Sequence, residues 1–169
     1  IQGSADYQWN FNDDASSLIL FGSGQITNRD HYTGIFPDED EAVTNHLKNP
    51  PYGVSYNSRL HTGVQLNHSL ETFPGEDNTL TIGTEYQYDN VQDNIGAYNY
   101  NIDQRTKDFA GFLQLDWDLL NSFNVITGFR VDKHNLVDDL VFSPRASILY
   151  KLKNNMQFRG SWSTGFRAP

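Results

Sequence analysis

What most constrains this chain is a period of two in its polarity, repeated in segment after segment. In Val54 to Leu70 the even positions read Val54, Tyr56, Leu60, Val64, Leu66 and Leu70, broken only by Ser58, Thr62 and His68. The odd positions, from Ser55 and Asn57 through Arg59, His61 and Gln65 to Ser69, carry no large apolar side chain. Successive side chains of a strand point to opposite faces, so this segment folds as a strand with one greasy and one wet face. The pattern returns in Thr79 to Tyr88, Phe109 to Asp118, Phe123 to Asp132, Phe142 to Leu152 and Met156 to Arg167. Phe112 and Ile126 are apolar exceptions on the polar parity. Leu18 to Arg29 reads as a weaker strand and Ala5 to Phe11 as the tail of another. The expectation is an all-β antiparallel meander of about eight strands, with no convincing amphipathic helix.

The links between these segments alternate. Asn12 to Ser16, Leu119 to Asn121 and Lys153 to Asn155 are short, and Glu71 to Asn78 is intermediate. Tyr32 to Gly53, Val91 to Gln104 and Asn135 to Leu140, at the other end, are longer or more polar. Short turns at one end and long loops at the other belong to up-and-down membrane barrels. Several segments reach or exceed the ~9–11 residues a tilted strand needs to cross a bilayer. Apolar-face aromatics sort towards two levels. Trp117, Phe123, Tyr150 and Phe158 lie near the short turns; Tyr86, Tyr88, Phe109, Phe142, Trp162 and Phe166 lie towards the loops. Interfacial girdles give that sorting, because amphipathic rings suit the headgroup level.

Composition closes other routes. Twelve basic against 21 acidic side chains give a formal charge of −9, which argues against a nucleic-acid partner, since that affinity rests on cationic contacts to phosphate. No cysteine is present, which removes disulfide scaffolds and cysteine-based sites. Aromatics at 14% argue against disorder. No run approaches the ~18 apolar residues of a membrane helix, and no signal peptide is visible. Ile1 opens in mid-pattern and Pro169 follows a strand without a closing element, so the chain is expected to be an internal piece of a longer protein.

The stretch FSPRASILYKLKNNMQFRGSWSTGFRAP, Phe142 to Pro169, resembles a segment of TonB-dependent outer-membrane receptors, in which a Ser-Pro-Arg strand, a short turn and a strand ending in Gly-Phe-Arg-Ala-Pro follow one another. FAGFLQLDWDLLNSFNVITGFRVDKHN upstream resembles the preceding hairpin, including its Gly-Phe-Arg-Val-Asp run, Gly128 to Asp132. The resemblance implies a large transmembrane β-barrel of about 22 strands with a plugged lumen. Residues 1–169 would be part of its wall, with the plug domain and barrel ends absent. It further implies a Gram-negative outer membrane with lipid around the wall. The function would be import of a scarce small nutrient (an iron chelate, haem, cobalamin or a glycan), energised through the TonB complex acting on the plug.

No catalytic constellation stands out. The five histidines are scattered, and no His-Glu-x-x-His, Gly-x-Ser-x-Gly or phosphate-cradling glycine loop occurs; no enzymatic activity and no cofactor are expected. Asp13 with Asp14, and Asp138 with Asp139, fall in turns, where solvated carboxylates are ordinary. The candidate ligand-binding residues are His31, Tyr32 and His46 around the Tyr32 to Gly53 loop, with Tyr98 and Tyr100 at the Val91 to Gln104 tip. Imidazole and phenol groups can contact haem or a ferric chelate, and rings can stack on a ligand or sugar. Asp38 and Asp40, in a run of four acids, are the metal candidates, since oxygen clusters can hold a divalent cation; adjacent acids cannot all point at one ion, and a solubilising loop is the plainer reading. The polar-face arginines Arg59, Arg130, Arg145, Arg159 and Arg167 share their face with Glu85, Asp116, Asp118 and Asp132, a mixed-charge lining facing water or a plug. Two rival readings are a secreted soluble β-sandwich binding module and a small OmpA-like structural barrel, which calls for a closing strand ending in Phe.

Overall fold

The computed structural model describes residues 1–34, 37–70, 78–120, 122–152 and 156–165. Its strands are β1 (Gln2–Phe11), β2 (Ser16–Tyr32), β3 (Tyr52–Ser69), β4 (Thr79–Ile95), β5 (Tyr100–Leu120), β6 (Phe123–His134), β7 (Val141–Lys151) and β8 (Gln157–Ser163). They form one sheet in sequence order, each antiparallel to the next. Among the described residues β1 pairs only with β2 and β8 only with β7, so the sheet is an open wall. Most of the Glu71 to Asn78 link, the Lys153 to Asn155 turn, and Phe166 and Arg167 with the rest of the Gly-Phe-Arg-Ala-Pro ending lie outside the described residues.

The register shows what the alternation does. Leu66 opposes Ile82, Ile82 opposes Leu113, and Leu113 opposes Phe129, so the apolar parities of neighbouring strands fall on one face, called outer here. On that face the apolar stretches Leu80–Tyr88, Phe109–Trp117, Phe123–Val131 and Phe142–Tyr150 are each of the ~9–11 residues that cross a bilayer. Their upper edge steps down from β4 to β5 and from β5 to β6 and is level between Val131 of β6 and Phe142 of β7. At the lower edge Phe123 pairs with Tyr150 and Tyr150 with Phe158, and the Phe123 and Tyr150 rings meet edge-on at 6.3 Å.

This apolar face covers no core. Among the described residues only Ile95 and Ala110 are buried hydrophobics, while Leu60, Ile82, Leu113, Phe129, Ile148 and Trp162 are all exposed. The chain exposes 12218 Å², against roughly 8,500 Å² for a compact globular protein of its mass. A secreted sandwich would hide this face in its own second layer; the described residues form a single sheet with no second layer.

Both apolar exceptions are on the inner face, and for Phe112 the cause is plain. Phe112 opposes Gly83, and its ring lies over that glycine so closely that a Cβ would come within 2.5 Å of Cζ. An aromatic laid across a glycine covers bare backbone on an otherwise wet surface. Phe21 lies over its partner Gly63 in the same way.

The structure corrects two expectations about the connections. Val91 to Gln104 is not a loop: β4 and β5 pair up to Ile95 opposite Tyr100, joined by a single 3-10 turn, Gly96–Tyr98, with Asn99 at φ 49°. The sequence hides this extension because above the apolar band the outer face turns polar (Asn90, Gln92 and Asn94) while the inner face mixes Asp89 and Asp93 with Val91 and Ile95, so the apolar-out alternation stops. The Tyr32 to Gly53 loop does contain a helix, α1 (Asp40–Lys48), with Asp40 and Glu41 in its first turn and His46 and Lys48 in its last. That charge order matches the helix dipole, which accounts for half of the acidic run. At the opposite end the β1–β2 turn is tight. Asn12, Asp13 and Asp14 all have positive φ, and the Ala15 amide donates to the Asn12 carbonyl at 2.9 Å; Asn and Asp tolerate that conformation better than other side chains.

Replacing Leu113, midway along the outer band, by Arg is expected to cost ~2–4 kcal/mol in a membrane-embedded wall. Gln65→Arg on the inner face is expected to cost far less. Heat-modifiable gel mobility of the full-length protein from outer membranes measures this; equal tolerance of both changes would reverse the two faces.

Candidate functional site

The inner face carries the polar chemistry, in tiers. Midway along it, the Arg130 guanidinium donates to Glu85 Oε2 at 2.7 Å and to Asp132 Oδ1 at 2.8 Å, with His61 Nε2 3.9 Å from the same Glu85 oxygen. One tier up, Arg59 Nε donates to Asp89 Oδ1 at 2.5 Å. Lower down, Arg145 lies across Gly128 and donates to Gln114. The expected face-sharing of Arg59, Arg130, Arg145 and Arg159 with Glu85, Asp116, Asp118 and Asp132 follows from the register. Asp89, partner of Arg59, escaped the sequence reading because it lies past the apolar part of β4.

At the upper end the inner face closes on His31, Ser55 and Asp93. Ser55 Oγ donates to Asp93 Oδ1 at 2.9 Å and lies 3.4 Å from His31 Nδ1. His31 Nε2 is 3.6 Å from Asp93 Oδ1. His31 reaches across β3 because Gly53 opposes it: a Cβ there would stand 2.5 Å from His31 Nε2 and 2.9 Å from Ile95 Cγ1. Ile95 in turn opposes Tyr100, so His31, Gly53, Ile95 and Tyr100 make one row across four strands. Ser55, Asp93 and Gly53 were not singled out from the sequence; the parity of β3 reaches Ser55, but only the hidden extension of β4 delivers Asp93.

Tyr32 falls on the opposite, outer parity. Its hydroxyl hydrogen-bonds His46 Nε2 in the last turn of α1, and its ring meets those of His46 and Tyr52 at 5.8 and 5.4 Å. These contacts fasten α1 to the rim. The Tyr32 phenol is held above its ordinary range, first by partial loss of hydration and then by the phenols of Tyr52 and Tyr98. Tyr98 projects from the 3-10 turn, well exposed.

The five candidate ligand residues therefore split. His31 and Tyr100 face inward; Tyr32 and His46 brace α1 on the outer side; Tyr98 stands on the rim. Asp40 opens α1, its carbonyl accepting from Thr44 Oγ1 at 3.0 Å, and Asp38 sits in the preceding bend. Among the described residues no three His, Asp or Glu side chains converge as a metal ion requires. What the inner rim offers is a carboxylate, an imidazole, a hydroxyl and a phenol around an apolar residue. That set can hold a polar ligand by hydrogen bonds.

Comparison with known proteins gives a consistent outcome. The family model described as "TonB dependent receptor-like, beta-barrel" matches residues 1–169. The iron-regulated outer membrane virulence protein of Vibrio cholerae serotype O1, in two strains, is 31% identical over 100 residues, covering 57% of this chain and 15% of its own length. The fold resembles that of P. aeruginosa FpvA in complex with a heterologous pyoverdine and iron, with a TM-score of 0.67 at 14% identity over 95% of this chain and 26% of that one. The chain thus spans 15% of the curated relatives it matches.

Gly53→Ala is expected to push His31 off Ser55 and Asp93 and to destabilise the wall by ~1–3 kcal/mol, the usual range for overpacking. Gly96→Ala, where a Cβ meets nothing within 4 Å, is expected to be nearly neutral. Denaturant unfolding of the full-length protein in a bilayer compares the two.

Proposed function

Because the chain belongs to the TonB-dependent receptor family, as a stretch of its outer-membrane β-barrel and not as an enzyme, we propose that its receptor imports an iron chelate. The observation that carries this reading is the polar inner face, which rises tier by tier to the His31–Ser55–Asp93 cluster and Tyr100 at one end. A ligand descending a lumen lined this way meets hydrogen-bonding groups first at that rim. Iron chelate is favoured over haem, cobalamin and glycan by the company the chain keeps: the Vibrio relative is named for iron regulation and the FpvA complex holds iron.

In this reading the outer band faces lipid, the inner face encloses a plug domain carried elsewhere in the receptor, and the TonB complex drives release through that plug. The rim formed by α1 and the 3-10 turn lies outside the cell, and the Asn12 to Ala15 turn lies in the periplasm.

Two measurements test it. Deleting the gene is expected to abolish uptake of one radiolabelled ferric chelate while sparing cobalamin; spared uptake of every ferric chelate would overturn the cargo. In the purified receptor, His31→Ala and Tyr100→Ala are expected to weaken chelate binding about tenfold each, the loss of one good hydrogen bond or ring contact. Epitope tags at Glu41 and Asn99 are expected to be labelled on intact cells and one at Asp13 is not; the opposite result would invert the topology.

A further inference from the structure

We propose that Arg105, Lys107 and Lys133 form a binding site for a phosphate-bearing glycolipid of the outer leaflet, on the outer face just above the apolar band. The inference rests on the outer-membrane placement of that face and is independent of the cargo.

The argument starts from where the cations are. Arg29, Arg59, Arg130, Arg145, Lys151 and Arg159 all fall on the inner parity of their strands. Among the described strand residues the Lys and Arg of the outer face are Arg105, Lys107 and Lys133, and these are neighbours. Lys133 opposes Phe109, which places Lys107 diagonally across from it, and Arg105 follows one pleat above Lys107. Diagonal neighbours stand ~7–8 Å apart, a span one phosphate group bridges. A chain with 21 acidic and 12 basic residues has thus gathered its outward-facing strand cations in one spot.

The height of that spot says what it meets. Lys107 opposes Tyr88 and Lys133 opposes Phe109, so both stand level with an upper-edge aromatic of the neighbouring strand, and Arg105 stands one pleat higher. That is where headgroups lie when the band is filled by lipid tails. Beside and above Arg105, β4 presents amides, Asn90 opposite it and then Gln92 and Asn94, which can hydrogen-bond sugar hydroxyls and add no charge.

The cations are not consumed by the protein. Among the described residues neither Lys107 nor Lys133 makes a salt bridge. The Lys133 ammonium donates to the carbonyls of Val137 and Asp138 at 3.2 and 2.6 Å, which fixes its position without neutralising it. Arg105 makes one exposed contact with Asp103 at 3.6 Å, a pairing of little strength in water. The backbone beneath is clamped: Asn135 Oδ1 accepts from the Lys107 amide at 2.6 Å, and Asn135 Nδ2 donates to the Arg105 carbonyl at 3.0 Å. Three like charges held together on a rigid support repel one another unless an anion sits among them. Phosphate geometry suits Arg bidentately and Lys as a point charge.

The test uses the full-length receptor in nanodiscs of phosphatidylcholine doped with lipopolysaccharide, or with the same glycolipid stripped of its phosphates. Native mass spectrometry counts the glycolipid retained. Wild type is expected to retain the phosphorylated form, with affinity falling as salt rises, and inorganic phosphate alone is expected to compete poorly because it lacks the acyl chains. Arg105→Gln with Lys107→Gln and Lys133→Gln is expected to lower affinity about 100-fold, from roughly fivefold per cation near a charged surface. Arg159→Gln, an inner-face cation, is expected to leave retention unchanged. Lys107→Arg with Lys133→Arg is expected to preserve binding, and this variant carries the test if the triple one does not assemble. Equal retention by the triple variant, equal affinity for the dephosphorylated glycolipid, or loss of binding in the assembled Arg-for-Lys variant would overturn the proposal.

Discussion

The backbone hydrogen-bond ladder is the interaction on which everything else here depends. A domain with a core can leave a few amides to water and still be held by apolar burial; this chain has almost no burial to draw on. Ile95 and Ala110 are its only buried hydrophobics among the described residues, so the strands are held in place by main-chain pairing and by side chains meeting across it. Pairing is also what makes such a surface tolerable to a membrane, where an unmet N–H or C=O costs several kcal/mol. The same requirement forbids an unpaired edge within the hydrocarbon layer, and among the described residues β1 and β8 each pair on one side alone.

The two faces divide the work without sharing residues. Outside, side chains need only be apolar over one band and amphipathic at its rims, so their identities vary freely between Leu, Val, Ile, Phe and Tyr. Inside, identity matters. Arg130 bridges Glu85 and Asp132 across three strands, and Gly83 and Gly63 are where they are because rings lie over them. This separation explains how a chain can be 14% identical to a neighbour and share its fold over 95% of its length.

The parity of the strands was legible because a single rule, apolar out and polar in, operates across the membrane-spanning band. Phe112 broke the rule in the sequence and obeys another in space, since only the register brings it onto Gly83. The rule fails where both surroundings are aqueous. Above Tyr88 the apolar-out alternation of β4 stops, and a strand that continues to Ile95 reads as a polar loop. Asp93 was missed for that reason, and with it the partner that makes sense of His31. Helix α1 was missed differently: Val43 and Leu47 are too few to give a periodic apolar stripe, and the acids before them and the bases after them were the usable signal. Neighbouring residues His31 and Tyr32 were read as one site, although strand geometry alone sends them to opposite sides.

The upward extension of β4 and β5 has a mechanical consequence. Their ladder runs unbroken to Ile95 opposite Tyr100, so this part of the rim is a stiff parapet. Roughly 30 Å of paired strand stands above Phe109 at ~3.3 Å per residue, fixed at its top by one short turn. It cannot fold inward over the opening, because bending it would break several pairs at once. The β4–β5 hairpin is thus a stiff element of the wall, held by its own ladder and not by packing.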